Sequence, residues 1–258
     1  MSPQIVSSRT VIKENWLTRS PSDFAYLSTL IFGVLLGLVG YWYLGGTFGI
    51  TPWMAASGQN VLVKGEYWRL WTALFAHADT AHLLGNLSLF LPLAFMLTGH
   101  FGVWAFPVLG IALGGLINYI AIQLMPPEVG LIGISGVVYW MGATWLTLFL
   151  FIDRRKSIRR RIALALFLTV VLFIPETYKP EISYMSHLVG YLLGVASGIM
   201  IYFVRRKEIE ATEVVETIYD RPEEEVNPEF ITPDIINADW KPVIDSSQDD
   251  VRPPKSGI

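Results

Sequence analysis

Long apolar stretches restrict the possible folds of this chain more than any other feature of its sequence. About 20 apolar residues are needed for a helix to cross the hydrocarbon core of a bilayer, which is about 30 Å thick. Six stretches of this kind occur, and 52% of all residues are hydrophobic whereas only 16% are charged. We therefore predict an all-α, polytopic membrane protein with a bundle of six transmembrane helices. The expected spans are residues 24–44, 82–99, 103–124, 133–152, 162–174 and 182–204.

The positions of the positive charges predict how these helices are oriented. Short cytoplasmic loops are rich in Lys and Arg. With the N-terminus in the cytoplasm, the cytoplasmic segments up to residue 207 contain twelve Lys and Arg residues and the outer segments contain three. This balance requires that residues 162–174 cross the membrane, although this uninterrupted apolar or small run is only 13 residues long. We expect a multi-pass protein of the cell membrane with both termini in the cytoplasm.

Composition divides the chain into three parts, namely a cytoplasmic N-terminal segment (1–22), the six-helix domain (23–204) and an acidic tail (205–258). The tail has 14 acidic and 7 basic residues with scattered prolines. Such a segment buries too little apolar surface to offset its ordering entropy, so we expect a mostly disordered cytoplasmic tail, with docking through short patches as the alternative. The first loop, 45–81, is rich in Gly, Trp and Tyr and is expected to associate with the membrane interface.

A polar pair marks the second predicted helix. His82 and Asn86 are four residues apart, so their side chains lie on one helix face. Polar side chains inside a membrane span are costly and are usually functional. The pair is either a hydrogen-bonding contact between helices or two donors that are directed at one oxygen atom.

Small residues indicate which helices approach each other closely. His187 begins the last predicted helix, and Gly190, Gly194 and Gly198 continue along the same face. Glycines at this spacing allow another helix to pack at short distance. The sequence therefore predicts that His187 is pressed against a partner helix.

The fourth predicted helix has a matching face. Ser135 and Tyr139 are one turn apart, and Gly133 and Gly136 lie on either side of the serine. Both helices start on the outer side in the predicted orientation. If these two faces meet, Ser135 and His187 become neighbours near the outer membrane boundary, and Tyr139 is able to stack on the imidazole.

A serine beside a histidine permits hydrolytic chemistry. The imidazole removes the hydroxyl proton, and the serine oxygen then attacks a carbonyl carbon. The resulting oxyanion needs donors, and His82, Asn86 and the backbone N–H of Ser135 are suitable. No Asp or Glu lies within a predicted span, so the site would be a Ser-His dyad. The pattern GISG alone is more typical of helix packing than of catalysis.

Other kinds of site are disfavoured by the residues present. The chain has no cysteine, which excludes disulfides and thiolate metal ligands. His77 and His82 are five residues apart and do not share a helix face, and no carboxylate accompanies them at ligand spacing. We therefore expect no metal and no cofactor. Membrane lipid is an expected partner and nucleic acid is not.

Four motifs together carry a resemblance to a known family. They are YWR at 67–69, HADTAHLLGN at 77–86, GISGVVY at 133–139 and SHLVGYLLG at 186–194. Their types and order resemble those of the rhomboid intramembrane serine proteases, and the resemblance covers about residues 24–204. It implies a serine endopeptidase that cleaves transmembrane substrates near the outer membrane boundary.

The resemblance also implies a role for each motif residue. Ser135 is the expected nucleophile and His187 the expected general base. His82, Asn86 and Ser135 are expected to form the oxyanion hole. The remaining motif residues have supporting roles in packing, in shaping the first loop or in orienting the catalytic histidine. These residues are Tyr139, Gly133, Gly136, Gly190, Gly194, Trp68, Arg69 and His77.

Two other functions compete with proteolysis. A non-catalytic relative that binds transmembrane clients predicts a damaged dyad, whereas Ser135 and His187 are both present. A channel or transporter would need polar groups along the whole thickness of the bilayer, and here they cluster toward one side.

Overall fold

Helices form most of the described chain. The computed structural model describes residues 8–173 and 184–219. The helices in this part are α1 (Phe24–Leu44), α2 (Thr51–Met54), α3 (Arg69–Thr72), α4 (Thr80–Phe101), α5 (Gly110–Gln123), α6 (Ser135–Ile152), α7 (Ile158–Phe173) and α8 (Tyr184–Glu210). Two strands, β1 (Ser8–Glu14) and β2 (Val214–Tyr219), pair with each other.

Five helical segments are long and apolar enough to cross a membrane, as five of the six predicted spans require. They are Phe24–Leu44, Thr80–Phe101, Trp104–Gln123, Ser135–Ile152 and Tyr184–Glu210. The result is a helical membrane bundle, in agreement with the predicted fold class.

The remaining predicted span corresponds to α7, which has 16 described residues. Its expected end at residue 174 and the expected start of the next span at residue 182 lie outside the described residues. The pairing of β1 with β2 bears on this span, because paired strands lie on the same side of the membrane. The chain between them must then cross an even number of times. Five helical segments in the described part meet the length and apolarity requirement, so an even count leaves α7 as the candidate for one further crossing.

Helix α6 lies at the centre of the bundle. Large side chains along it, such as Trp140, Met141 and Leu148, are fully buried. Helices α4, α5, α7 and α8 all contact it. In contrast, α7 exposes Leu166, Phe167 and other apolar side chains on its outer face, as expected for a helix that borders lipid.

The first loop is folded around a buried arginine. Arg69 Nη1 donates to the carbonyl oxygens of Pro52 (3.0 Å) and Ala55 (3.1 Å), and Arg69 Nε lies 2.5 Å from Glu66 Oε2. Asn118 Nδ2 of α5 donates to the carbonyl oxygen of Leu70 at 2.7 Å. These bonds attach α2 and α3 to the bundle, which fixes where the loop ends and α4 begins.

The segments before α1 and after α8 are joined in a small polar assembly, here called the terminal clasp (residues 10–17, 153–155 and 213–217). Lys13 pairs with Glu216 at 2.8 Å, and Arg154 Nη2 lies 2.7 Å from Glu213 Oε2. The prediction that the tail is disordered from residue 205 is therefore wrong for residues 205–219, because α8 continues to Glu210 and β2 follows. Residues 220–258 lie outside the described part.

A buried carboxylate anchors the terminal clasp to α6. Asp153 follows the last residue of α6, and its Oδ1 accepts from Asn15 Nδ2 (3.0 Å) and from Arg155 Nε (2.6 Å). Burial by itself raises the pKa of Asp153, but the hydrogen bonds and the charge of Arg155 outweigh this effect and lower that pKa below its usual value. The carboxylate is therefore ionised at neutral pH.

Candidate active site

The first turn of α4 is fixed by its capping residue. Asp79 Oδ1 accepts a hydrogen bond from the backbone N–H of His82 at 2.7 Å. An aspartate in this position satisfies one of the free N–H groups at the start of a helix. Asp79 was not predicted as part of the site, although an Asp just before a helix is a recognisable capping signal. It sets the orientation of the turn that carries His82 and Asn86.

The residues before α6 pass directly beside these two side chains. Gly133 has φ of +104°, a conformation that side chains disfavour, as expected for a tight loop. A Cβ atom at this position would lie 3.0 Å from His82 Cε1 and 3.8 Å from Asn86 Nδ2. His82 and Asn86 therefore border the backbone that leads to Ser135, and a larger residue at Gly133 would collide with the histidine.

Helices α6 and α8 touch through their backbones near Ser135. A Cβ at Gly190 would collide with the carbonyl oxygen of Gly136, and it would lie 3.0 Å from the carbonyl carbon. A Cβ at Gly136 would lie 3.2 Å from the carbonyl oxygen of Ser186. The predicted packing of these small-residue faces is confirmed.

The same close contact continues along the two helices. A Cβ at Gly194 would collide with the carbonyl oxygen of Trp140. Trp140 Nε1 donates to Ser197 Oγ at 2.9 Å, and Thr144 Oγ1 lies 3.1 Å from the carbonyl oxygen of Gly194. These polar contacts fix the register of α8 against α6, and sequence reasoning did not identify them.

His187 is oriented by an aromatic side chain of α6. The rings of Tyr139 and His187 are stacked, with centroids 4.0 Å apart and an angle of 15° between the planes. This stacking confirms the predicted contact. Tyr139 is one helical turn from Ser135, so the imidazole lies against the first turn of α6. Neither ring nitrogen of His187 has a hydrogen-bond partner within the described part of the chain, including Ser135.

Unpartnered polar atoms collect around this point. Asn86 Nδ2, His77 Nε2 and both ring nitrogens of His187 are buried without a hydrogen-bond partner among the described residues. Buried polar atoms normally have partners, and the exceptions often mark functional sites. Asn86 Nδ2 lies beside Gly133 and His187 stacks on Tyr139, so these unpartnered atoms border the first turn of α6.

His77 supports His82 from the preceding loop. Its Nδ1 lies 3.2 Å from the carbonyl oxygen of Phe75 and donates to it. Its ring meets that of His82 edge to face with centroids 5.1 Å apart. Burial, and to a smaller extent the nearby His82, lower the pKa of His77 to about 4. His77 is therefore neutral at pH 7 and packs beside His82.

Two predicted supporting residues lie in the first loop, outside the group around Ser135. Trp68 is about half exposed, whereas Arg69 is buried and holds the loop through the bonds described above. Their role is thus to shape the loop that precedes α4.

Comparison with known proteins gives the family. A family model described as Rhomboid domain matches residues 64–203, which is more than half of the chain. No curated protein matches the chain. The matched region contains the first-loop arginine, the start of α4, the GISG turn and the glycine face of α8. The chain is therefore an integral membrane protein that belongs to the rhomboid family, a family of intramembrane serine proteases.

Proposed function

We propose that this protein is an active intramembrane serine endopeptidase with Ser135 as nucleophile and His187 as general base. The observation that carries the proposal is the stacking of His187 on Tyr139, one turn from Ser135 on the same helix. Stacking leaves the edge of the imidazole free. An imidazole held in this way accepts the hydroxyl proton once Ser135 and His187 come within hydrogen-bond distance.

The proposed reaction begins when His187 takes the proton of the Ser135 hydroxyl while the serine oxygen attacks the carbonyl carbon of a peptide bond. The tetrahedral intermediate collapses to an acyl-enzyme as the imidazolium gives its proton to the leaving amine. Water, activated by the same imidazole, then releases the second product. Catalytic hydrogen bonds are often long without substrate, so the lack of a Ser135–His187 bond is compatible with this role.

We assign the oxyanion hole to His82, Asn86 and the backbone N–H of Ser135. Support comes from Gly133, beside which both side chains lie, and from Asn86 Nδ2, which is buried without a partner among the described residues. A preorganised donor is effective because it is already aimed at the charge that develops.

The proposed substrates are other transmembrane proteins, cut near the outer membrane boundary. The charge pattern supports cytoplasmic termini, and Ser135 and His187 are then near the opposite boundary, since each is at the start of its helix. A plasma-membrane location is part of the same proposal.

Labelling with a fluorophosphonate probe tests the nucleophile. Purified full-length protein is expected to be labelled, and Ser135→Ala is expected to abolish labelling and cleavage of a transmembrane substrate. Ser88→Ala is the matched control, because Ser88 is an exposed serine of α4 that bonds only to the carbonyl oxygen of Gly85. Equal labelling of wild type and Ser135→Ala would refute the assignment.

The second candidate is a non-catalytic relative that binds transmembrane clients. The observation in its favour is that His187 makes no hydrogen bond within the described part. It predicts no labelling of the wild type and no cleavage. His187→Ala separates the two functions, because it should abolish cleavage by a protease but leave client binding unchanged.

A further inference from the structure

A groove lies on the outside of the bundle between the start of the third span and the end of α8. Its volume is about 300 Å³, and its walls are almost entirely apolar. Val108 and Ala112 form one wall, and Met200 and Val204 form the other. The groove therefore has room for a large part of one acyl chain.

One end of the groove is charged. Arg205 lines it and pairs with Glu208, with Arg205 Nη2 lying 2.8 Å from Glu208 Oε2. Arg205 Nε also donates to Glu208 Oε2, and Nη1 makes a long bond of 3.4 Å to the carbonyl oxygen of Phe101. A guanidinium has five N–H donors, so one donor on each of Nη1 and Nη2 remains. Glu208 is mostly exposed and has a second oxygen available.

The depth of this charged end matches a lipid headgroup. Arg205 is 18 residues after His187 on α8, which corresponds to about 27 Å along the helix axis. The hydrocarbon core is about 30 Å thick, so Arg205 lies at the membrane boundary opposite the candidate active site. Trp104, which is 75% exposed, lines the groove as well. Tryptophan is favoured at the headgroup level, which supports this depth.

We propose that the groove binds one phospholipid with a primary ammonium headgroup, of the phosphatidylethanolamine class. An acyl chain lies between Val108 and Val204, the phosphate accepts from the free N–H groups of Arg205, and the ammonium donates to Glu208. Neighbouring positive and negative side chains match a headgroup that carries both charges. The glycerol headgroup of phosphatidylglycerol has no positive charge to pair with Glu208, and a choline ammonium has no N–H to donate. This site is independent of the proposed proteolysis.

Competition between lipids in native mass spectrometry tests the proposal. The full chain is purified in detergent and mixed with equal amounts of phosphatidylethanolamine, phosphatidylglycerol and phosphatidylcholine that have the same acyl chains. One phosphatidylethanolamine should be retained in preference to each competitor by about tenfold, the ratio expected for one charge-assisted hydrogen bond. Equal retention of the three lipids, or a preference for phosphatidylglycerol, would overturn the proposal.

Substitutions in the groove and at its charged end test where the lipid binds. Ala112→Trp fills the apolar groove without touching the charged end and should remove the retained lipid. Glu208→Gln should remove the preference over phosphatidylglycerol, and Arg205→Gln should weaken retention. Arg206→Gln is the matched control, because Arg206 pairs with Glu210 and does not line the groove. Arg205 also stacks on Trp16, with the guanidinium carbon 4.6 Å from the ring centroid, so Arg205→Gln disturbs this contact as well. Unchanged retention in Ala112→Trp would therefore show that the lipid binds elsewhere, whatever the result with Arg205→Gln.

Discussion

Replacement of Gly190 by alanine would test the close contact between α6 and α8. The new Cβ would lie 3.0 Å from the carbonyl carbon of Gly136 and closer still to its oxygen. An ordinary van der Waals contact is 3.4 to 4 Å. Both atoms in conflict belong to backbone, so the helices must separate by about 1 Å near Ser135. Overpacking of this kind typically costs about 1 to 3 kcal/mol, and a misplacement of about 1 Å lowers turnover by about 100-fold.

Thermal unfolding in detergent and cleavage of a transmembrane substrate measure the two effects of Gly190→Ala. Gly37→Ala is the matched control, because Gly37 is also inside a helix and nothing lies within 4 Å of an added Cβ there. The control should keep its activity, and its stability should rise by about 0.5 to 1 kcal/mol. Wild-type turnover in Gly190→Ala would refute the argument that backbone contact sets the geometry of the site.

Three further predictions concern other parts of the molecule. Asn86→Ala should lower turnover by about 100- to 1,000-fold if Asn86 donates to the oxyanion, and an unchanged rate would remove it from that role. A chain that ends after residue 219 should cleave normally, because it keeps Glu213 and Glu216 in their ion pairs; lost activity would show that residues 220–258 contribute. The lowered pKa of His77, about 4 against the usual 6.5, means that the unfolded chain binds more protons between these values. His77 should therefore lower the free energy of unfolding as pH decreases from 6.5, by about 3 kcal/mol at pH 4, and His77→Gln should lack this contribution in pH-dependent denaturation.

The spans and the packing of the two site helices were predictable from sequence because apolar length and small-residue spacing are local signals. The stacking of Tyr139 on His187 follows from such spacing, since Ser135 and Tyr139 are one turn apart and share a helix face. Gly133 was predicted as the first residue of the fourth span, whereas its φ of +104° belongs to the loop before α6, which begins at Ser135. Asp79 was not predicted as part of the site, because an Asp before a helix signals a cap without showing that the capped turn carries the site residues.

The terminal clasp was not predicted because its signals are distant from each other. Residues 8–14 and 214–219 are each short segments, and β-branched residues in both are only a weak indication of strand. Each of these two segments is stabilised as a strand only by pairing with the other. Composition correctly marks the tail as acidic, but net charge does not show that Glu213 and Glu216 have specific basic partners. Ion pairs between residues that are distant in the chain cannot be recognised from the average composition of a segment.

The terminal clasp has a consequence for biogenesis. Lys13 leaves the ribosome roughly 200 residues before Glu216, a delay of at least 10 s at about 5 to 20 residues per second. During membrane insertion, β1 therefore remains unpaired until β2 has been synthesised. If the last helix were inserted in the opposite orientation, β2 would lie on the other side of the bilayer from β1. The two strands therefore pair only in a polypeptide that has been inserted correctly, and they do so late in biogenesis.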